Sequence, residues 1–207
     1  MEEKFSTIKN WLGTGSINIF GLPMAGKDTQ GIKLAEALNA KFLSSGMIVR
    51  AMEKETKQNL TNKGNLIPTN IFYEWVLPYF ERRDLFEYPL ILSSIGRWFG
   101  EEDQVMSVAE GAGHKIKAAI LLNLSETEAL KRFDEAKTLG DRGDRADDKE
   151  LTVFKNRLQE FHQKTIPVLK HYQSLGLLIT IDGNQTRDAV FSEIVEKLYQ
   201  KASQSHV

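Results

Sequence analysis

The chain has 207 residues, 41% of them hydrophobic, with a formal net charge of -1, which suffices for one core of ordinary size without crosslinks. The near-neutral balance argues against a general electrostatic grip on nucleic acid or on an anionic membrane. The absence of cysteine excludes a disulfide scaffold, a thiolate nucleophile and a thiolate-bound metal.

The opening MEEKFSTIKNWLGTGS is acidic and poor in apolar residues, so it reads as neither signal peptide nor membrane span, and a cytoplasmic location is expected. Within it Phe5, Ile8 and Trp11 or Leu12 recur at helical spacing and predict a short amphipathic helix ending near Gly13 and Gly15. Five apolar runs follow: SINIF, KFL near 42, YPLILSS at 88–94, IKAAILLNL at 116–124 and LGLLITI at 175–181. Longer segments of helical periodicity separate them, among them GIKLAEALNA, NIFYEWVLPYF and VFKNRLQEFHQKTIPVLKHY. This alternation predicts an α/β fold, a parallel five-stranded sheet with helices on both faces, in one domain spanning 1–207.

Two segments break the alternation. Residues 46–75 hold two helical stretches with no strand between them and predict an excursion from the sheet. Residues 134–148, DEAKTLGDRGDRADD, are charged and glycine-punctuated, which predicts a solvated loop able to act as a cover. The histidines, His114, His162, His171 and His206, lack the spacing of metal ligands. The sequon-like NLT, NLS and NQT and the RGD at 142–144 are taken as chance matches in a chain without an export signal.

Between the first strand and the helix after it lies GLPMAGKDT, residues 21–29. The spacing Gly21, Gly26, Lys27 in a strand-to-helix turn is that of a phosphate cradle. Glycines let successive N–H groups curl toward phosphate oxygens, the helix N-terminus adds a favourable dipole, and Lys27 reaches the outer phosphates. The residue after the lysine is Asp28, with the hydroxyl displaced to Thr29. A carboxylate about 4 Å from a phosphate charge costs roughly 1 to 4 kcal/mol. Asp28 is therefore expected to offer its backbone N–H and turn its side chain outward, where the first turn of a helix favours a negative charge.

Gly21, Pro23, Gly26, Lys27, Thr29 and Gln30 together resemble the loop of adenylate kinase and its relatives among the nucleoside monophosphate kinases, G-x-P-G-x-G-K-G-T-Q. The resemblance extends, in order, from about residue 18 to 195. FLSSGMIVR at 42–50 is similar to the segment that receives the acceptor nucleotide, and implies Ser45 and Gly46 beside the base and Arg50 on the monophosphate. GNLIP at 64–68 is similar to the turn that closes the acceptor excursion. PLILSSIGRW at 89–98 lies over G-F-x-L-D-G-F-P-R, which implies that Arg97 bridges phosphates; here Ser93 replaces the aspartate that anchors magnesium-bound water, Ser94 the glycine and Gly96 the proline. The base-reading glutamine four residues after the arginine corresponds to Glu101, or to Gln104 if three residues are inserted. An amide donates and accepts and suits adenine, whereas a carboxylate only accepts and favours bases rich in N–H groups, such as guanine.

Farther on, the resemblance implies Arg132 at the donor adenine, Arg145, Asp147 and Asp148 in DRADD, and Arg157 in the following helix. The arginine four residues after Arg132 is absent, its place taken by Ala136, with Lys137 or Arg142 as possible stand-ins. The cover over 134–146 resembles the short-lid type. What the family implies is transfer of the γ-phosphoryl group of ATP, with magnesium, to a nucleoside monophosphate, AMP favoured. Lys27 and the loop hold the donor, Arg50 and Arg97 the acceptor phosphate, Arg145 and Arg157 the developing charge, and Thr29 ligates magnesium. Alternatives are the same reaction on another nucleotide and, given Ser93 and Ala136, a nucleotide-binding protein with little or no catalysis. The partners expected are small-molecule nucleotides rather than nucleic acid or membrane, and the chain is expected to be a monomer.

Overall fold

The computed structural model describes residues 1–139 and 150–204. Its centre is a parallel sheet of five strands, β1 (Ser16–Gly21), β2 (Lys41–Ser44), β3 (Leu90–Ser93), β4 (Ile116–Asn123) and β5 (Leu178–Asp182), in the order β2-β3-β1-β4-β5. Every residue of β1 and β3 is buried. That is why SINIF and LILS carry near-continuous apolar runs, as strands covered on both faces do. In register, Ile19 pairs with Ser93, the last residue of β3, and with Ile120 of β4, so β1 runs two residues past the end of β3 to Gly21.

Helices surround the sheet. α1 (Glu2–Leu12) packs through Ile8, Trp11 and Leu12 against α9 (Arg187–Gln204), and α2 (Lys27–Leu38) lies beside both and against β1 and β3. α5 (Glu101–Gly111) and α8 (Ile166–Ser174) cover β4. The excursion holds α3 (Ser45–Thr56) and α4 (Thr69–Trp75), with no strand between them. α6 (Glu126–Leu139) and α7 (Leu151–Glu160) flank the undescribed residues 140–149.

The solvated loop expected over 134–148 is corrected for its first six residues. Residues 134–139 continue α6, because Phe133 is buried and Ala136 packs against the core, so the apolar stripe carries the helix past the acidic start of that segment. The rest of the expected cover, to residue 146, lies outside the described residues.

Two features set up the site. Chain connections leave β1 in opposite directions, through α2 to the edge strand β2 on one side and across β1 from β3 to β4 on the other, and open parallel sheets bind ligands outside the carboxyl ends at such a reversal. In the middle of β1, the buried Asn18 donates from Nδ2 to the Ile95 carbonyl at 2.7 Å and accepts the Ile95 N–H at 3.3 Å. A polar residue inside the most buried strand thus fixes the loop that carries Ser94, Gly96 and Arg97.

Candidate active site

A cleft of about 410 Å³ opens at the carboxyl ends of β1, β2 and β3, where Gly21, Ser44 and Ser93 line it. Its floor is the turn from β1 into α2. At Gly21 a side chain would place Cβ 2.8 Å from the Leu122 carbonyl oxygen, so the close approach of β4 demands glycine there. Gly26 is left-handed, φ 82°, and begins α2, whose first N–H groups face the cleft region. Lys27 donates from Nζ to the carbonyls of Gly21 and Leu22, both at 2.9 Å, which pins its ammonium across the mouth of the loop.

The backbone is strained at two points around this cleft. Met24 sits at φ 69° and Ser94 at φ 54°, the left-handed region that residues with a Cβ rarely adopt. Both line the cleft, and strain of this kind persists where surrounding structure over-determines it and clusters at functional sites. Ser94 is held by its own N–H, which donates to the Ile19 carbonyl at 2.9 Å, and by Ser45, whose hydroxyl donates to the Ser94 carbonyl at 2.7 Å.

Across from the loop stand Ser45, Gly46 and Arg50 at the start of α3, Gly64 to Ile67 from the excursion, Arg97 from the loop after β3, and Arg157 from α7. Four cationic side chains, Lys27, Arg50, Arg97 and Arg157, therefore face one cavity. Burial lowers the pKa of Arg97 to about 10, with the charge of Arg157 adding to the effect and Glu101, Glu160 and Asp28 opposing it. Arg97 remains charged at neutral pH, and an anion in the cleft would relieve its electrostatic cost.

The expected orientation of Asp28 is overturned. Its carboxylate points into the cleft, where Oδ1 accepts the Ser93 hydroxyl at 2.7 Å. The Ser93 hydroxyl at the end of β3 supplies a donor to an inward carboxylate, which helix dipole and phosphate repulsion alone do not anticipate. Thr29 also lines the cleft. One hydroxyl and one carboxylate beside a cationic phosphate cradle fit magnesium, which keeps several waters and takes phosphate oxygens as ligands rather than an all-protein cage. Among the described residues no group of three or more His, Asp or Glu could hold a metal by itself.

A water-sized side cavity of about 20 Å³ extends from the cleft between Val49, Ile67, Phe72, Trp98 and Glu101. Glu101 Oε1 accepts the Thr69 hydroxyl at 2.8 Å, and Oε2 accepts the N–H groups of Arg97 at 2.9 Å and Trp98 at 3.1 Å. Burial raises its pKa, opposed by those hydrogen bonds. Gln104 lines neither cavity and is exposed on α5. Three residues of helix carry it about 4.5 Å farther along the axis, so the structure does not bring Gln104 to the place where the inserted alignment puts it.

Arg132 does not line the cleft. Its guanidinium bridges the carbonyls of Gly183, at 2.9 Å, and Met24, at 3.5 Å, and pairs with Glu128 at 2.9 Å, which joins the loop to the turn after β5. Lys137 is exposed. Arg142, Arg145, Asp147 and Asp148 lie outside the described residues. His206 lies outside the described residues, and the other three histidines do not cluster: His162 meets Glu126 at 2.7 Å, His171 meets Asp103 at 3.0 Å, and His114 is buried with Nδ1 on the Thr14 carbonyl.

Glu160 and Thr165 escaped sequence reasoning. Glu160 lines the cleft, accepts the Leu66 N–H at 3.0 Å and pairs with Lys164 at 2.6 Å. Thr165 donates to the Arg97 carbonyl at 3.3 Å from a π-helical turn, Phe161–Thr165, between α7 and α8. Glu160 follows Arg157 by three residues and so shares its helix face, a signal the sequence did carry. The widened turn was not legible, since π geometry arises from packing.

Comparison with known proteins agrees with this geometry. The model of the family described as adenylate kinase matches residues 19–177. An adenylate kinase of Parvibaculum lavamentivorans is 29% identical over 184 residues, covering 85% of this chain and 88% of that protein. One of Thermus thermophilus is 29% identical over 190 residues, covering 88% and 97%. One of Methanocella arvoryzae is 27% identical over 206 residues, covering 85% and 94%.

Proposed function

Because the chain belongs to the adenylate kinase family, we propose that it transfers the γ-phosphoryl group of ATP to a nucleoside monophosphate, with AMP the favoured acceptor. It is a phosphotransferase, and the reaction uses ATP with magnesium. The observation that carries the reading is the convergence of Lys27, Arg50, Arg97 and Arg157 on one cleft built around the β1–α2 loop.

Phosphoryl transfer needs little covalent chemistry and much positive charge in line with the reacting oxygens. Lys27 and the N–H groups of the loop bind and orient the donor phosphates. Arg50, one turn into α3, and Arg97 hold the acceptor phosphate, and Arg157, joined by Arg145, meets the charge that develops on the moving group. Thr29 would hold the magnesium ion together with the phosphates, and the metal would supply positive charge there. Ser45 and Gly46 border the acceptor, and residues 46–75 serve as its binding excursion. Arg132 braces the loop at the edge where the donor base lies. The cover expected over 134–146, of which 134–139 extend α6, keeps water from the phosphoryl group. The chain works as a cytoplasmic monomer on free nucleotides and does not bind nucleic acid. Among the described residues no helix is long and apolar enough to cross a membrane.

A second acceptor has a specific observation in its favour. Glu101 borders the side cavity with an accept-only group, which suits the ring N–H and amino groups of guanine. Adenine is favoured by the three relatives above, each an adenylate kinase, and its amino group can also donate to Glu101.

The test is formation of nucleoside diphosphate from ATP and magnesium with each common ribo- and deoxyribonucleoside monophosphate, alongside Lys27→Ala as control. Turnover with AMP above the others, lost in a folded Lys27→Ala protein, is the expected result. Preferential turnover of GMP would establish the second acceptor. ATP binding without turnover of any acceptor would overturn the kinase reading in favour of a nucleotide-binding protein, and full activity in Lys27→Ala would overturn the loop as the donor site.

A further inference from the structure

The Asp28–Ser93 pair poses a physical problem. Asp28 stands next to the phosphate-binding lysine, in the first turn of α2, with its carboxylate held inward by Ser93. A carboxylate facing nucleotide phosphates across a few ångströms opposes binding unless a cation lies between them. The position of Ser93 suggests that cation. It ends β3, the strand paired to β1, level with Ile19. In phosphate-loop nucleotide enzymes magnesium is held by the hydroxyl of the loop and by a carboxylate on a second segment close to it. Here the strand end offers only a hydroxyl, and the carboxylate oxygen 2.7 Å away is supplied by the loop itself.

We infer that Asp28, positioned by Ser93, anchors the water shell of the magnesium ion bound with ATP, so that the metal carboxylate has moved from the strand end to the phosphate loop. The inference rests on the proposed function. It also accounts for the tolerance of a negative charge beside Lys27: the carboxylate opposes metal-free ATP and favours the magnesium complex. Ser93 acts through Asp28, directing the carboxylate into the cleft rather than touching the metal.

The test is calorimetric and needs no turnover. ATP dissociation constants are measured for wild type, Asp28→Asn and the exchange variant Asp28→Gly with Ser93→Asp, each with saturating magnesium and with EDTA. Magnesium should tighten ATP binding to wild type. In Asp28→Asn the ratio of the two constants should fall about tenfold, a coupling of ordinary size, with metal-free ATP binding more tightly than to wild type. Ser93→Asp in the exchange variant should restore the wild-type ratio. Circular dichroism and binding of metal-free ATP establish that each variant retains fold and site. A ratio unchanged in Asp28→Asn, or one that the exchange does not restore, overturns the relocation while leaving the kinase reading intact. Wild type that binds no ATP under either condition overturns the functional reading and the inference with it.

Discussion

Thr69 and Glu101 are joined by a 2.8 Å hydrogen bond that ties the first turn of α4 to the first turn of α5. With the Arg97 and Trp98 N–H groups on its other oxygen, Glu101 links the excursion holding α3 and α4 to the loop that presents Arg97. It also lines the side cavity, with Ser45, Ser94 and Arg97.

Glu101→Gln should shift acceptor preference toward adenine. The amide gains a donor for the ring nitrogen of adenine that the carboxylate lacks. Relative kcat/KM for AMP over GMP should rise by about tenfold or more, since rejection by unpaired buried polar groups is strong. Competition between the two monophosphates for the wild type and the variant measures it, and an unchanged ratio would remove Glu101 from base selection.

The same residue gives a pH dependence of stability. Burial raises the pKa of Glu101 above the ordinary carboxylate value of 4.5, so the folded chain retains a proton that the unfolded chain has released. Its stabilising contribution is complete below about 4.5 and declines as pH rises through the raised value. The Tm difference, wild type minus Glu101→Gln, should therefore shrink between pH 4.5 and 7. Thermal melts across that range check it, and a difference that grows with pH would contradict the assigned shift.

Gly64→Ala should destabilise the chain and loosen the cleft. Gly64 has φ 79°, and an added Cβ would lie 2.6 Å from the Val153 carbonyl oxygen and 2.9 Å from Arg157 Cγ. Strain of this kind costs about 1–3 kcal/mol, equivalent to a Tm lower by roughly 3–10 °C in a domain of this size. Displacement of Arg157 should also raise KM for the acceptor. Gly111→Ala is the control, because nothing lies within 4 Å of its added Cβ. Equal melts for both variants would show that the excursion does not pack on α7 as described.

The sequence by itself determined the sheet and the loop. All five apolar runs became strands, because a parallel sheet covered on both faces requires continuous apolar segments, and that requirement is local. Gly21, Gly26 and Lys27 were legible because a phosphate cradle is a contiguous turn whose spacing carries its geometry. Arg50 and Arg97 were legible only through their order along a resembling chain, since the periodicity of an isolated arginine does not reveal which cavity it faces.

Tertiary structure decided what depends on two distant segments meeting. The direction of Asp28 is set by Ser93, 65 residues away, and local helix electrostatics gave the opposite expectation. Which of Glu101 and Gln104 lines the side cavity depended on where α5 starts, which a shift of three residues in alignment leaves open. The role of Glu160 came from its hydrogen bond to Leu66, 94 residues distant. Patterning and spacing report the chain's nearest neighbours, whereas side-chain partners across the cleft exist only once α2, β3 and the excursion have packed around it.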